Sequence, residues 1–404
     1  MKKNSNTTRT AIKVGLVAVI SLLLLIPLAM IKAVIKDREK TKKVVTEEVA
    51  DAYAKPQTII APYLVSYVLE EKTVDKQKQT YVETYYTYCS QVDYNAAVET
   101  DVRHRSIYDV IVYNSKVHIS GKLPITEMLI AARDCEFHFQ VSDVKGFCNS
   151  SKLTFGGDSF ELNRRSDDFV AEVVLPKGAK VGDTIAYAIS FDLKGTESLF
   201  FHPSPTGETS LAISSAYPHP SFQGAILPGH REVTDDGFKA AWSVSSLNSS
   251  SKDNMGVKFV DPANHYQQSM RSAKYGMLII ILVFVAGLFV EFLTRKEINP
   301  IQYAVIGLSL VLFYSLLLAF SELVTFGVAY ITAAAMTIIA LTLYFRAILK
   351  SRSAYTLGGF VTSVFALNYI LLQLETYALL AGSLVLFLML CVVMYLTANV
   401  NKAE

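Results

Sequence analysis

Charge is what this sequence has least of: 18% of its 404 residues are Asp, Glu, Lys or Arg, against about a quarter in an ordinary soluble domain. The deficit is local. It falls in one N-terminal apolar stretch and a long C-terminal block, while the middle reads as a normal folded domain. The net charge of +2 gives no global basic field, so nucleic acid is not an expected partner. The chain also lacks G-x-x-x-x-G-K-S/T, H-E-x-x-H and G-x-S-x-G. With them go the signals for P-loop nucleotide binding, zincin chemistry and a nucleophile elbow. Its four cysteines include no C-x-x-C, which leaves a thiol oxidoreductase poorly supported. No catalytic residue, cofactor or metal set is assigned, and no enzyme is expected; a hydrolase hidden in the middle region is the least supported alternative.

What the sequence does have is hydrocarbon. From Tyr275 to Leu396 it is almost continuous, with stretches long enough to cross a bilayer as helices of roughly 20 residues. Five spans are predicted, at about 275–293, 302–320, 324–345, 354–373 and 377–397. An earlier span, 14–31 (VGLVAVISLLLLIPLAMI), follows Lys2, Lys3, Arg9 and Lys13. A basic start and an apolar core also describe a removable signal peptide. The run exceeds a typical h-region of about 7–15 residues, and Lys32 and Lys36 stand where a small-residue cleavage site would be, which favours an uncleaved anchor.

The loops orient these spans. Arg295 with Lys296, and Arg346, Lys350 and Arg352, make two connections basic, whereas those near Glu322 and Glu375 carry no Lys or Arg. Basic short loops stay cytoplasmic, so both termini (1–13 and 398–404) are expected inside and residues 32–274 outside. The lysines from Lys32 to Lys43 oppose this order. Long domains translocate largely regardless of charge, and a helix at 33–54 would set those lysines at the outer lipid surface. Within the spans, Glu291 is expected to pair with Arg295 at i,i+4 near the inner interface. No charge falls near the midplane, where an ion-coupled transporter places its ionisable groups. Ser309, Thr342, Thr362, Ser363 and Asn368 read as interhelical hydrogen-bonding groups, Gly359 and Ser363 as a small-xxx-small contact, and Tyr275, Tyr303, Tyr344, Tyr355 and Tyr377 as interfacial anchors.

Residues from about 55 to 265 alternate apolar and polar side chains. The pattern is clear in Cys135–Ser142, in the run Ile185, Tyr187, Ile189, Phe191, Leu193, and in Phe238, Ala240, Trp242, Val244. Period-two alternation implies antiparallel sheet with one buried and one wet face, which puts His138 on the wet face. Gly156-Gly157-Asp158 reads as a hairpin turn, as Pro176-Lys177-Gly178 and Gly182-Asp183 read as turns. The expected fold class is therefore a membrane protein of α + β type. It comprises an N-terminal transmembrane anchor, a large β-rich, sandwich-like external domain with a membrane-proximal helix, and a C-terminal bundle of five transmembrane helices. Cys89, Cys135 and Cys148 fall in the domain and Cys391 in the last span; a Cys135–Cys148 disulfide and free buried thiols both remain open. The sharpest feature is Tyr217–Val233, where Pro218 and Pro220 hold the chain extended around His219. His219, Phe222, His230 and Arg231 form the candidate recognition loop, with a packed corner between sheets as the plainer reading.

The segments YPHPSFQGAILPGHREVTDDGFKAAW at 217–242, HYQQSMRSAKYGMLIIILVFVAGLFVEF at 265–292 and INPIQYAVIGLSLVLFYSLLLAFSE at 298–322 resemble the CreD family of bacterial inner-membrane proteins, as does LLLLIPLAMIKAVIKDR at 22–38. The resemblance implies a multi-pass cytoplasmic-membrane protein with a large periplasmic domain. It further implies expression within a two-component regulon and links to envelope integrity, colicin tolerance and β-lactam response. No catalytic residue comes with it. The expected partners are the lipid bilayer and an envelope protein or polymer. The alternative function is lipid handling or transport by the C-terminal bundle.

Overall fold

The computed structural model of the chain describes residues 2–74, 77–149, 152–250, 252–260, 265–294 and 297–373, with residues 383, 387 and 394. The chain divides into a compact unit from Lys42 to Pro262 and a second unit formed by the residues on either side. Helix α1 spans Lys2–Leu23 and α2 spans Leu25–Ala52. The sequence reading ended one span at Ile31 and began a separate helix at 33; the break lies instead at Leu24. Pro27 explains its position. Its ring nitrogen carries no hydrogen, so the Leu23 carbonyl loses its helical partner, while Leu24 and Leu28 still donate to Ile20 and Leu24.

The β-rich unit opens with β1 (Gln57–Val74), β2 (Gln77–Tyr88), β3 (Gln91–Arg105) and β4 (Tyr108–Pro124). A short helix α3 (Glu127–Ala131), capped by the Thr126 hydroxyl, leads into β5 (Asp134–Val141). The strands β6 (Lys152–Phe155) and β7 (Asp158–Glu161) pair across the Gly156-Gly157 turn. After them come β8 (Asn163–Arg165), β9 (Asp168–Val173), β10 (Thr184–Thr196), β11 (Ser198–Phe201) and β12 (Glu208–Ser215). The unit ends with β13 (Pro220–Gly224), β14 (His230–Thr234), β15 (Gly237–Ser245) and β16 (Met255–Phe259).

These strands form two sheets of eight. One runs β13-β16-β11-β1-β5-β9-β8, with β2 also on β1; the other runs β14-β15-β12-β3-β4-β10-β6-β7. Two pairings are parallel, β1 with β11 and β3 with β12. One continuous core draws side chains from both sheets, among them Tyr94, Tyr113, Phe137, Phe139, Phe201 and Trp242. Alternation in β10 buries Ile185, Tyr187, Ile189, Phe191 and Leu193 as its pattern requires. Burying one such side chain contributes about 1.5–3 kcal/mol. An exposed pair like Arg103–Asp101 gives about 1 kcal/mol or less, so packing holds the sandwich. Gly195 marks its tightest approach: a Cβ there would lie 2.2 Å from the Tyr113 hydroxyl, which donates to the Ser198 carbonyl at 2.7 Å.

In the second unit, α4 (His265–Lys274) meets α5 (Gly276–Thr294) at a 42° bend, followed by α6 (Pro300–Ser321), α7 (Phe326–Leu349) and α8 (Ser353–Gln373). Asn299 and Gln302 close a capping box at the start of α6, with Pro300 in its first turn. Residues 265–274, read from sequence as part of the external domain, are thus a helix packed in this unit against α5, α6 and α8. The fifth expected span, 377–397, with Tyr377 and Cys391, lies outside the described residues, as does Glu375. The small-residue contact differs from expectation. Gly359 has nothing within 4 Å of its Cβ position; Gly358 packs instead, with Thr342 Oγ1 2.5 Å from that point.

Candidate functional site

The site begins with a change of partner along one edge of β1. Gln57–Ile59 pair with β11, and Tyr63–Val74 pair with β2. The residues between are left out of both ladders, and on the opposite edge the register with β5 shifts between Ile60 and Tyr63. Pro62 suits this gap because it has no N–H to leave unpaired. The Ile59 carbonyl accepts from the His202 backbone at 2.9 Å, and the Pro62 carbonyl accepts from the Cys89 thiol at 3.1 Å. The result is a notch of about 370 Å³. Its lining is aromatic at Tyr63, Tyr86 and Tyr88, and His202, Pro203, Pro205, Ile60 and Ala61 complete it. None of these side chains is a carboxylate, ammonium or guanidinium.

Tyr63 is anchored from behind. Its ring stacks on His138, and its hydroxyl lies 3.5 Å from Asp168 Oδ2. His138 Nδ1 is 2.9 Å from the same Asp168 oxygen, and Nε2 is 3.2 Å from Glu136 Oε2. Glu136 also accepts from the Tyr67 hydroxyl at 2.9 Å and from Arg165 Nη1 at 2.9 and 3.0 Å. This corrects the wet-face reading of β5: Glu136 is 7% and His138 9% exposed, because Tyr63, Tyr67 and Arg165 close over them. Burial pushes the Glu136 carboxyl up, but the hydrogen bonds from Tyr67, Arg165 and His138 outweigh it and hold the group below the ordinary carboxylate range. Burial, then the Asp168 charge, pushes Tyr63 up to about 12. Asp168 Oδ1 is buried without a hydrogen-bond partner among the described residues.

The segment read as a candidate recognition loop, or more plainly as a packed corner between sheets, is two edge strands with a connection, one in each sheet. Pro220–Gly224 is β13, paired to β16 in one sheet, and His230–Thr234 is β14, paired to β15 in the other. Phe222 turns inward, edge-on to Phe238 and Trp242 at 5.6 and 5.9 Å. The Trp242 indole donates to the Ile226 carbonyl at 3.2 Å. His219, His230 and Arg231 are exposed. The structure brings none of them to the notch. Sequence reasoning missed the notch, although the tyrosine-dense run Tyr81–Tyr88 (YVETYYTY) was the signal available for it.

In the helical unit, Glu291 pairs with Lys13 and accepts from the Tyr303 hydroxyl at 3.3 Å; Arg295, its expected partner, lies outside the described residues. Tyr303 is accordingly buried rather than an exposed interfacial anchor. Glu322 lies 3.7 Å from Arg38 and 3.5 Å from the Tyr266 hydroxyl. Ser309, Thr342, Thr362 and Ser363 donate to carbonyls of their own helices. Asn368 does cross between helices, donating to the Tyr330 hydroxyl at 2.9 Å and to Ser272 at 3.4 Å. Among the described residues, no group of three or more His, Cys, Asp or Glu could hold a metal ion. Cys89, Cys135 and Cys148 are free thiols.

Comparison with known proteins places this architecture. Residues 9–403 match the family described as Inner membrane protein CreD. Inner membrane protein CreD of Escherichia coli (strain K12) is 30% identical over an alignment of 422 residues, covering 94% of this chain and 91% of that protein. Among solved structures, an M1 zinc metallopeptidase from Deinococcus radiodurans aligns at a TM-score of 0.24 with 8% identity, covering 43% of this chain and 42% of that one. That likeness is too slight to bear on fold or activity. With an N-terminal apolar helix, a large β-rich region and several C-terminal apolar helices, matched along nearly its whole length, this chain belongs to the CreD family of inner membrane proteins.

Proposed function

We propose that this multi-pass inner-membrane protein supports envelope integrity without catalysing a reaction, and that its sandwich recognises an envelope component through the notch on β1. In this reading the sandwich stands in the periplasm, both termini are cytoplasmic, and five helices follow it. The orientation draws on the basic residues Arg346, Lys350 and Arg352 on one side and the acidic connection at Glu322 on the other. Colicin tolerance and membership of a two-component regulon belong to the same reading, through the family resemblance.

The observation that carries it is the buttressed wall of the notch: Tyr63, stacked on His138 above the buried Glu136 and part-buried Asp168 carboxylates. A buried ionic cluster is a poor source of net stability, so its place directly behind a half-exposed aromatic ring argues for holding that ring in position. Preorganised aromatic anchors are what recognition surfaces use. The strand edge with His219, His230 and Arg231 is a second exposed surface.

The test is complementation. In a strain lacking the gene, the Tyr86→Ala/Tyr88→Ala protein should reach normal abundance and fail to restore growth under combined detergent and chelator stress. Full restoration would sink the notch as the recognition site. Orientation is checked separately with single-cysteine probes: positions in the sandwich should react with impermeant maleimide in intact spheroplasts, and position 350 only after permeabilisation.

A further inference from the structure

We propose that the notch binds a neutral pyranose segment of an envelope saccharide. The inference rests on the recognition role given above and names the class of ligand.

The lining chemistry selects against charged ligands first. Tyrosines, prolines, one isoleucine, one alanine and one histidine make up the whole wall. A phosphate, an anionic lipid headgroup or an acidic peptide would give up part of its hydration there without an ion pair in return, which is unfavourable. Flat aromatic ligands are disfavoured by shape. Tyr86 and Tyr88 are inclined to Tyr63 by 45° and 48°, at centroid distances of 6.1 and 6.2 Å. Neither face is parallel to that of Tyr63, so a planar ring could not be sandwiched between Tyr63 and either of them. A puckered pyranose chair presents C–H groups on both faces. Those weakly positive hydrogens meet the negative faces of the tyrosine rings.

His202 supplies the polar selection. Its Nδ1 is 2.7 Å from the Asp253 carbonyl. A carbonyl only accepts, so Nδ1 carries the hydrogen, and in the neutral ring Nε2 is an acceptor. A sugar hydroxyl can donate to it. A proline-rich peptide, the other habitual guest of tyrosine-lined grooves, has no N–H at its prolines to do so. Pro203 and Pro205 stiffen part of the lining, and Tyr63 is already held by His138 and Asp168, which lowers the ordering cost on that side of the notch.

The probes are chitotetraose, maltotetraose and cellotetraose, titrated separately onto the full-length protein in a polyoxyethylene detergent, because alkyl glycosides would themselves compete. Saturation-transfer NMR should show saturable transfer to pyranose C–H protons for at least one probe. The Tyr86→Ala/Tyr88→Ala pair, which removes two exposed rings, should weaken that binding about tenfold or more. Transfer to none of the three, or transfer that survives the double substitution, overturns the saccharide assignment. A photo-crosslinker at position 86 separates the two levels of the argument. If no sugar binds but crosslinking in cells captures a protein at this position, the saccharide assignment fails and notch recognition stands. If no sugar binds and the double variant restores stress growth fully, both fail.

Discussion

The imidazole of His138 lies flat against the phenol of Tyr63, with ring centroids 5.2 Å apart and planes 14° from parallel. The same imidazole bridges Asp168 and Glu136. His138→Ala therefore removes a stacking partner and leaves the buried Glu136 and the part-buried Asp168 carboxylates each short of a donor. The expected cost is about 2–3 kcal/mol. Tyr63→Phe, which loses only a 3.5 Å hydroxyl contact, should cost about 0.5 kcal/mol or less. Urea unfolding followed by emission of Trp242, the single tryptophan, reads both in the full chain.

The pH response of this network has two signs. The Glu136 carboxyl is depressed in the folded protein, so its contribution is present above the unfolded value of about 4.3 and is lost as the pH falls through the lower folded value. The Tyr63 phenol is raised to about 12, so its contribution is present below the unfolded value of about 10 and is lost as the pH climbs through the folded one. Glu136→Gln should flatten the acid limb of a Trp242-monitored stability profile and leave the alkaline limb in place.

At the strand edge, Phe222→Ala should destabilise by about 2–3 kcal/mol, below the full cost of a buried Phe because the ring is only partly covered. His219→Ala and Arg231→Ala should stay within about 0.5 kcal/mol. The same urea titrations measure all three, and a cost for the polar variants equal to that of Phe222→Ala would contradict the packing described for β13 and β14.

Thiol reactivity should rank by environment. Burial pushes Cys89 up to about 12 and Cys135 up to about 11, so both are poor nucleophiles at neutral pH, while Cys148 is exposed. In a chain carrying Cys391→Ser, maleimide at neutral pH should label Cys148 first, with Cys89 and Cys135 following only in urea. Mass spectrometry of the labelled peptides gives the order.

Lys13 and Glu291 form an ion pair between α1 and α5. Lys13→Glu and Glu291→Lys should each lower the aggregation temperature of the detergent-solubilised protein. The double exchange should recover much of the loss, with a coupling on the order of 1 kcal/mol. Additive losses in the double variant would show that the pair contributes nothing.

Local signals were legible and non-local ones were not. Alternation located β10, and the length of the apolar runs located α6, α7 and α8, because both periods are written in consecutive residues. The hairpin at Gly156-Gly157 was legible for the same reason. The burial of Glu136 and His138 was not, since it depends on Tyr63 and Tyr67 from β1 and Arg165 from β8. Lys13 escaped as the partner of Glu291 because 278 positions separate them. The notch escaped because it is made by a strand exchanging neighbours, an event with no periodicity. Two edge strands at 217–234 passed for a loop because prolines and glycines dominate their flanks.

The parallel pairing of β1 with β11 has a consequence for how the protein is made. Residues 57–59 cannot find their neighbours at 199–201 until well over a hundred intervening residues have been synthesised, and β16, which completes that sheet beside β11, ends at Phe259. Closure of so long a loop is slow. Until then β1 and β3 remain open-edged and prone to pairing with other chains. The sandwich therefore cannot close on its first strand until almost the whole β unit, through Phe259, has been made, and its completion waits on the last strand rather than following the order of synthesis.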